Sequence, residues 1–274
     1  MQQHFQHKNF TLITGASHGI GRAMAFECAN HGMNLFLIAL PGPELSAVFN
    51  DIKGRFNVKV YSLGIDLTLE ESPKTIFEFS RENNIRINIL INNAGFGIGG
   101  LFENSPLMLD YKMIKLNNMA MIGLIHYFLQ DLKSFKPSHI LNISSMEATL
   151  PLPYKTVYTG TKNFIYSFSL ALNEELRHDN IRVSVVCPGP VITTEEGLKR
   201  FQAQGPKAKI IVKTPDQVAR IAIHGMIKGK TIIIPGIMPW IIMKIINLLP
   251  ELWKMRILER MFRVYKDMPV TKTY

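Results

Sequence analysis

Thr14-Gly15-Ala16-Ser17-His18-Gly19-Ile20-Gly21 decides the fold because of what stands on either side of it. Before it runs FTLIT (10–14), a short apolar stretch of strand length. After it, from about Ile20 to His31, apolar residues recur at helical spacing. Glycines between a buried strand and a helix permit a tight turn, a close backbone approach by a ligand, and close packing of helix on strand. The free N–H groups at the helix start, with its positive dipole end, then suit a diphosphate. The spacing is G-x-x-x-G-x-G rather than G-x-G-x-x-G, and taken alone the motif is also compatible with a helix-entry turn that binds nothing.

Outward from this turn the alternation repeats. NLFLIAL (34–40), VKVYSLGI (58–65), INILI (87–91), SHILNIS (138–144), IRVSVVC (181–187) and TIIIP (231–235) are apolar runs of strand length. Between them lie helical patterns over 44–55, up to about Asn83, and over 106–133, 156–178 and 215–228. Strands alternating with helices make βαβ units. Runs that are apolar at nearly every position fit strands covered on both faces. The expected class is therefore α/β: a doubly wound parallel sheet of seven strands with helices on both faces, binding ligands at its carboxyl edge. No repeat, low-complexity tract or linker divides the chain. Residues 1–236 are expected to form one dinucleotide-binding and catalytic domain, and 237–274 an amphipathic extension packed on or beside it.

Composition narrows the partners. The 47% hydrophobic content of 274 residues suffices for a large core, and 19% charged residues argue against disorder. Cys28 and Cys187 stand far apart, and the eight histidines show no H-E-x-x-H pattern, so neither a disulfide framework nor a metal is expected. MQQHFQHKNF at the N-terminus has no apolar signal core, and no uncharged apolar run reaches the roughly 18 residues of a span. These features point to a cytoplasmic protein, peripheral to a membrane at most. The formal charge of +10 sits at one end. Residues 199–274 hold 15 Lys+Arg against 4 Asp+Glu, whereas 1–198 hold 16 against 17. A partner drawn by charge should dock on the C-terminal quarter.

Tyr158-Thr159-Gly160-Thr161-Lys162 puts a phenol and an ammonium four residues apart inside a helical pattern, on one face and one turn apart. Reducing a carbonyl needs a proton donor while hydride arrives at carbon. A phenol's ordinary pKa of about 10 is high for exchange near neutrality, and a nearby ammonium lowers it. Lys162 would thus poise Tyr158. Pairs at this spacing are also common on exposed helix faces, so the weight comes from context.

In that context the sequence resembles the short-chain dehydrogenase/reductase (SDR) family over roughly residues 8–236. The first turn is similar to the family's TGxxxGxG fingerprint, which implies that Gly15, Ser17, His18, Gly19, Ile20 and Gly21 hold the cofactor. Asn92-Asn93-Ala94-Gly95 resembles its second signature, with Asn93, Ala94 and Gly95 lining the adenosine side. Asp66, with Leu67 beside it, matches the acid that contacts adenine. Ordinary turns and a helix cap are the plain alternatives for both segments. Ser145, thirteen residues before Tyr158, matches the serine that bonds the substrate oxygen, while Ser144 should point to the other side of the strand. Asn117 matches the helix asparagine that holds a water linking the lysine to solvent, with Asn118 as rival. Pro188-Gly189-Pro190-Val191-Ile192-Thr193 resembles PGxxxT, in which Pro188, Gly189, Val191 and Thr193 hold the nicotinamide amide. Tyr158 and Lys162 also reach the cofactor, Lys162 through ribose hydroxyls. The resemblance implies a catalytic set of Asn117, Ser145, Tyr158 and Lys162. It further implies an NAD(P)-dependent oxidoreductase that interconverts a carbonyl and an alcohol, and a homo-oligomer.

The end of the second strand, Ile38-Ala39-Leu40-Pro41-Gly42, lacks the acid that would bond a ribose 2′-hydroxyl and repel a 2′-phosphate. NADP(H) is therefore expected over NAD(H), with His18, Arg22 or Lys53 as the available positive charge. Residues 194–213 lie where SDR enzymes carry a loop that closes on substrate. Beyond the last strand, Trp240, Ile241, Ile245, Leu248 and Leu249 are apolar at near-helical spacing, followed by Lys254, Arg256, Arg260 and Arg263 interleaved with Leu258, Met261 and Phe262. This extension either caps the substrate pocket or packs on another subunit. A functional alternative is attachment to an anionic membrane surface. It also tilts the substrate toward a hydrophobic ketone or alcohol. Nucleic acid is not expected, because no recognition motif accompanies the charge. The competing class is a nucleotide-binding, membrane-associated scaffold or sensor on the same fold, which would need no Ser145, Tyr158 and Lys162 set.

Overall fold

Strands apolar along their whole length have to be covered on both faces, and the chain arranges this by sending successive helices to opposite sides of one sheet. The computed structural model describes residues 9–191, 213–236, 241 and 244–266. β1 (Phe10–Thr14), β2 (Asn34–Ala39), β3 (Val60–Gly64), β4 (Ile87–Asn92), β5 (Ser138–Ile143), β6 (Ile181–Val186) and β7 (Ile232–Ile233) form a seven-stranded sheet in the order β3-β2-β1-β4-β5-β6-β7. Every neighbouring pair is parallel. The expected class and strand number are those observed. β1, β2, β4 and β5 are buried at every residue, the polar Asn88, Asn92, Ser138, His139 and Asn142 among them.

One face of the sheet carries α1 (Gly19–Asn30), α2 (Pro43–Arg55) and α7 (Pro215–Ile227). Met24, Val48, Ile52, Ile223 and Met226 close against Ile13, Leu35, Leu37 and Ile91 there. The other face carries α3 (Ser72–Glu82), α5 (Ala120–Ser134) and α6 (Thr156–Glu175), with Ile76, Leu124, Phe128 and Ile165 against Leu12, Phe36, Leu90 and Ile140. Because β1 is flanked by β2 on one side and β4 on the other, the strand order reverses at its carboxyl end. That crevice is where a doubly wound sheet binds its ligand, and the first glycine turn stands in it.

The helix expected over 106–133 runs continuously from Leu107 to Ser134 but carries an internal π-turn. That turn, Lys115–Met119, joins α4 (Leu107–Ile114) to α5. A π-turn widens one turn without changing the apolar pattern around it, so periodicity does not register it. Here it turns both Asn117 and Asn118 inward onto Thr161 of α6. The C-terminal segment builds a third, smaller apolar cluster. Leu258 of α8 (Glu251–Phe262) is fully buried with Ile246 against Leu150 and Leu152 of the β5–α6 connection. Among the described residues, no helix is long and apolar enough to cross a membrane.

Candidate active site

β1 stops at Thr14 because the chain must turn at once, and Gly15 (φ +65°) and Gly19 (φ +51°) take the left-handed conformations that permit it. Gly21 sits so close to the turn that a Cβ there would lie 2.1 Å from the Gly15 carbonyl oxygen, so only glycine lets α1 start this near β1. The α1 N-terminus has no side-chain cap and no acid in its first turn, which leaves its N–H groups and dipole to an anion. Ser17 and His18 lie on the exposed rim, hydrogen-bonded to each other at 3.0 Å. Asn93 is the brace of this cradle. Its backbone N–H donates to Thr14 Oγ1 (2.9 Å), and its Nδ2 donates to the carbonyls of Thr14 (2.9 Å) and Gly15 (3.3 Å). Ala94 N–H also donates to Thr14 Oγ1, at 3.0 Å. The tight glycine contacts and the uncapped helix start fit a diphosphate, and hence a dinucleotide.

Asp66 has work of its own in the fold. Its Oδ1 accepts from Thr68 N–H (2.9 Å) and Thr68 Oγ1 (2.8 Å), closing the turn after β3 with Leu67 buried beneath. At the end of β2, Leu40 stands exposed where an acid would select a 2′-hydroxyl. Arg22 is drawn toward Asp51 at 3.8 Å, and Lys53 lies 5.6 Å from the Phe49 ring centroid.

The side chains read as catalytic come together. Ser145 lies two residues past β5 and caps the following turn through Glu147 N–H (3.1 Å), and its hydroxyl is near enough to that of Tyr158, on the first turn of α6, to pull the phenol's pKa down. Ser144 faces the other way, as alternation along a strand requires, and donates to the Lys162 carbonyl at 2.7 Å. That bond ties the strand end to α6 and so fixes Ser145 relative to Tyr158. Lys162, one turn along, is buried. Its Nζ donates to the Ile143 carbonyl (3.0 Å) and stands 5.9 Å from the Tyr158 ring centroid. The Asn117 amide is spent on the loop after β4. Oδ1 accepts from Phe96 N–H (3.0 Å), while Nδ2 donates to Phe96 O (2.9 Å) and Thr161 Oγ1 (3.0 Å). A Cβ on Gly95 would lie 2.7 Å from Asn117 Oδ1 and 3.5 Å from Lys162 Nζ, so three of the predicted positions meet at one point.

Electrostatics depart from the expectation that Lys162 makes Tyr158 acidic. Burial pushes the Tyr158 hydroxyl up, and the Glu147 carboxylate raises it further. The Ser145 hydrogen bond pulls it down but does not win. Burial also lowers Lys162, to about 8. Removal from water is the largest cause of both shifts. Tyr158 is therefore a protonated phenol at neutral pH, the form needed to give up a proton.

Three features escaped sequence reading. Gly97 lies under the Tyr158 ring, where a Cβ would come within 2.3 Å of Cδ2. Glu147 binds Lys155 through both carboxylate oxygens, at 2.9 and 3.1 Å, and Lys155 Nζ lies 5.7 Å from the Tyr158 ring centroid and 4.2 Å from that of Tyr265. A cavity of about 250 Å³ opens beside Tyr158, its lining divided between apolar Ile98, Leu101, Phe102, Met113 and Val157 and polar Asn104, Ser105, Asp110, Lys155, Thr156 and Lys266. No spacing rule links these positions; only the fold does. The α8 end joins the site through Tyr154, whose hydroxyl donates to Glu259 at 2.7 Å. Of the segment after β6, Pro188 accepts from Met146 N–H (2.9 Å), and Val191 pairs with Lys213. Gly189 and Val191 are partly buried beside it. Thr193 and most of the expected loop over 194–213 lie outside the described residues.

The short chain dehydrogenase family profile matches residues 9–204. The chain belongs to that family. As a short-chain dehydrogenase it is an oxidoreductase that works with a nicotinamide dinucleotide, as its motifs implied. It is 28% identical over 253 residues to the human very-long-chain 3-oxoacyl-CoA reductase, covering 86% of this chain and 78% of that one. A short-chain dehydrogenase from Sphingobium yanoikuyae in complex with NADPH superposes with a TM-score of 0.74 at 25% identity, covering 97% of this chain and 100% of that one. Another, from Burkholderia phymatum in complex with NAD, gives 0.75 at 20%, covering 88% and 94%.

Proposed function

We propose that this short-chain dehydrogenase interconverts a ketone and a secondary alcohol on a hydrophobic substrate, with NADP(H) preferred over NAD(H). The observation that carries the reading is the meeting of Ser145 with Tyr158, which lines a cavity, and with Lys162 buried one turn away.

The substrate oxygen would sit between the two hydroxyls. Ser145 orients it, and Tyr158 gives it the proton that turns the developing alkoxide into an alcohol. The reduced nicotinamide, when bound, supplies the hydride to carbon. Lys162 would hold the ribose hydroxyls and steady the phenolate left on Tyr158. Asn117, by fixing the Phe96 backbone against Thr161, acts as a positioning residue for that lysine. Gly15, Ser17, His18, Gly19, Ile20 and Gly21 would cradle the diphosphate. Asp66, Leu67, Asn93, Ala94 and Gly95 would line the adenosine side, and Pro188, Gly189, Val191 and Thr193 the nicotinamide. The uncharged end of β2 at Leu40 supports the phosphate-bearing cofactor, since nothing there repels it.

The likeness to a reductase of very-long-chain 3-oxoacyl-CoA supports an apolar substrate, and Leu101, Phe102, Met113 and Val157 give the cavity an apolar side beside its polar one. The same reading places the enzyme in the cytoplasm and makes it a homo-oligomer. Exposed Leu107, Met108, Tyr111 and Ile114 on α4 offer an apolar face to a second copy, and sedimentation equilibrium tests this. The test of function is a panel of ketones and 3-oxoacyl thioesters, assayed by loss of the reduced nicotinamide absorbance with NADPH and with NADH. Turnover of apolar ketones with NADPH ahead of NADH supports the reading. Turnover confined to small polar carbonyls, or NADH ahead, would remove the substrate or the cofactor half respectively.

A further inference from the structure

Among the described residues of 241–264, eight large apolar side chains stand exposed: Ile241, Ile245, Leu248, Leu252, Trp253, Ile257, Met261 and Val264, with Leu248 85% and Leu252 76% accessible. α8 separates its faces cleanly. Leu258 points inward with Met255 and Phe262 against Leu150 and Leu152. Trp253, Ile257 and Met261, spaced four apart, form a stripe on the outside. Arg256, Arg260 and Arg263, all exposed, lie at intervening positions along this helix and its end. Tyr154 ties the helix to the wall of the cavity. Glu259 accepts from Tyr154 OH (2.7 Å) across that contact, and from Arg263 Nε (2.9 Å) and Nη2 (2.7 Å) within its own segment.

We propose that residues 244–266, with α8 at their centre, lay the enzyme on an anionic lipid surface. Charge complementarity chooses this occupant. The chain's excess positive charge sits in its C-terminal quarter. An apolar stripe bordered by arginines is what an interfacial helix presents to acyl chains and anionic headgroups at once. At 12 residues α8 is far too short to span a bilayer, so it lies in the interface plane. The surface ends at the cavity, since Tyr265 packs by Gly99 and Lys266 lines the opening. A lipid-like ketone would then reach Tyr158 without crossing open water. The docking claim itself does not depend on the substrate.

The test is co-sedimentation of the full chain with phosphatidylcholine vesicles, with and without phosphatidylserine, at low and high salt. Binding to the anionic vesicles alone, released by salt, is the expected result. Trp253→Glu with Ile257→Glu, and separately Arg256→Gln with Arg260→Gln, should each weaken it on the order of tenfold or more, since each near-surface arginine is worth about fivefold. Turnover of a water-soluble ketone should stay unchanged. Should a variant fail to fold, Trp240→Phe leaves Trp253 as the sole tryptophan, and its emission should shift to the blue with anionic vesicles. No vesicle binding at low salt, binding undiminished in both pairs, or a dimer that the same substitutions split would overturn the proposal, the last by showing a second copy on this face. Loss of ketone turnover with vesicle binding intact would count against the enzymatic reading and leave this one standing.

Discussion

Gly97→Ala places one methyl group where the Tyr158 ring now lies. The added Cβ would be 2.3 Å from Cδ2, 2.5 Å from Cε2 and 2.8 Å from Cγ. Carbon atoms rest at about 3.5–4.0 Å, so the ring has to retreat by roughly 1 Å. A misplacement of about 1 Å in a reacting group costs on the order of 100-fold in rate, and overpacking of this kind costs about 1–3 kcal/mol in stability. The expected outcome is a kcat/KM for ketone reduction lowered by about 100-fold, with dinucleotide affinity changed far less and the melting temperature modestly reduced. Gly160→Ala is the control. It lies two residues from Tyr158 on the same helix, but a Cβ there meets nothing within 4 Å. It should keep activity and gain up to about 1 kcal/mol from helix propensity. Steady-state kinetics and thermal melts of the two proteins decide the matter. Near-wild-type turnover in Gly97→Ala would refute the placement of Tyr158 against the β4–α4 loop.

Two further predictions concern buried titrating groups. Lys162 is held at about 8 by burial, against an ordinary 10.5, so its ammonium is present below that pH and is lost above it. Reduction should decline as pH rises through about 8. In stability the sign is opposite, because between about 8 and 10.5 only the unfolded chain keeps the proton. Urea melts should therefore show wild type gaining on Lys162→Met across that window, and a flat difference would sink the assignment. His139 is buried with both ring nitrogens unpartnered and is lowered to about 4 from 6.5. The folded protein keeps it neutral while the unfolded chain takes up a proton, so stability falls as pH drops from 6.5 towards 4. His139→Leu should flatten that acid limb of the stability curve.

Much of this was legible in the sequence, for identifiable reasons. Mostly apolar runs of strand length, set between helical patterns, made all seven strands readable, with β7 shorter than its run because only Ile232 and Ile233 pair with β6. The glycine turn was readable because close approach demands glycine at positions such as Gly21. Ser145, Tyr158 and Lys162 were readable because one strand end and one helix face carry them. What stayed hidden depends on contacts distant in sequence or on burial. The π-turn at Lys115–Met119 keeps the apolar periodicity of a straight helix. Gly97 is an ordinary loop glycine until Tyr158 is laid upon it. The Glu147–Lys155 pair, eight residues apart across a turn and a helix start, follows no spacing rule. The acidifying effect expected of Lys162 on Tyr158 was a two-body estimate, and desolvation of both groups reversed it.

The most direct measurement of the central claim is the turnover of Tyr158→Phe with NADPH and an accepted ketone, alongside its cofactor affinity. The substitution deletes one hydroxyl from a buried ring and leaves the glycine turn, Asn93 and Lys162 untouched. If Tyr158 gives the proton, kcat falls on the order of 100- to 10,000-fold, the typical worth of a positioned general acid, while the dinucleotide still binds. Turnover close to that of the wild-type protein would contradict the account.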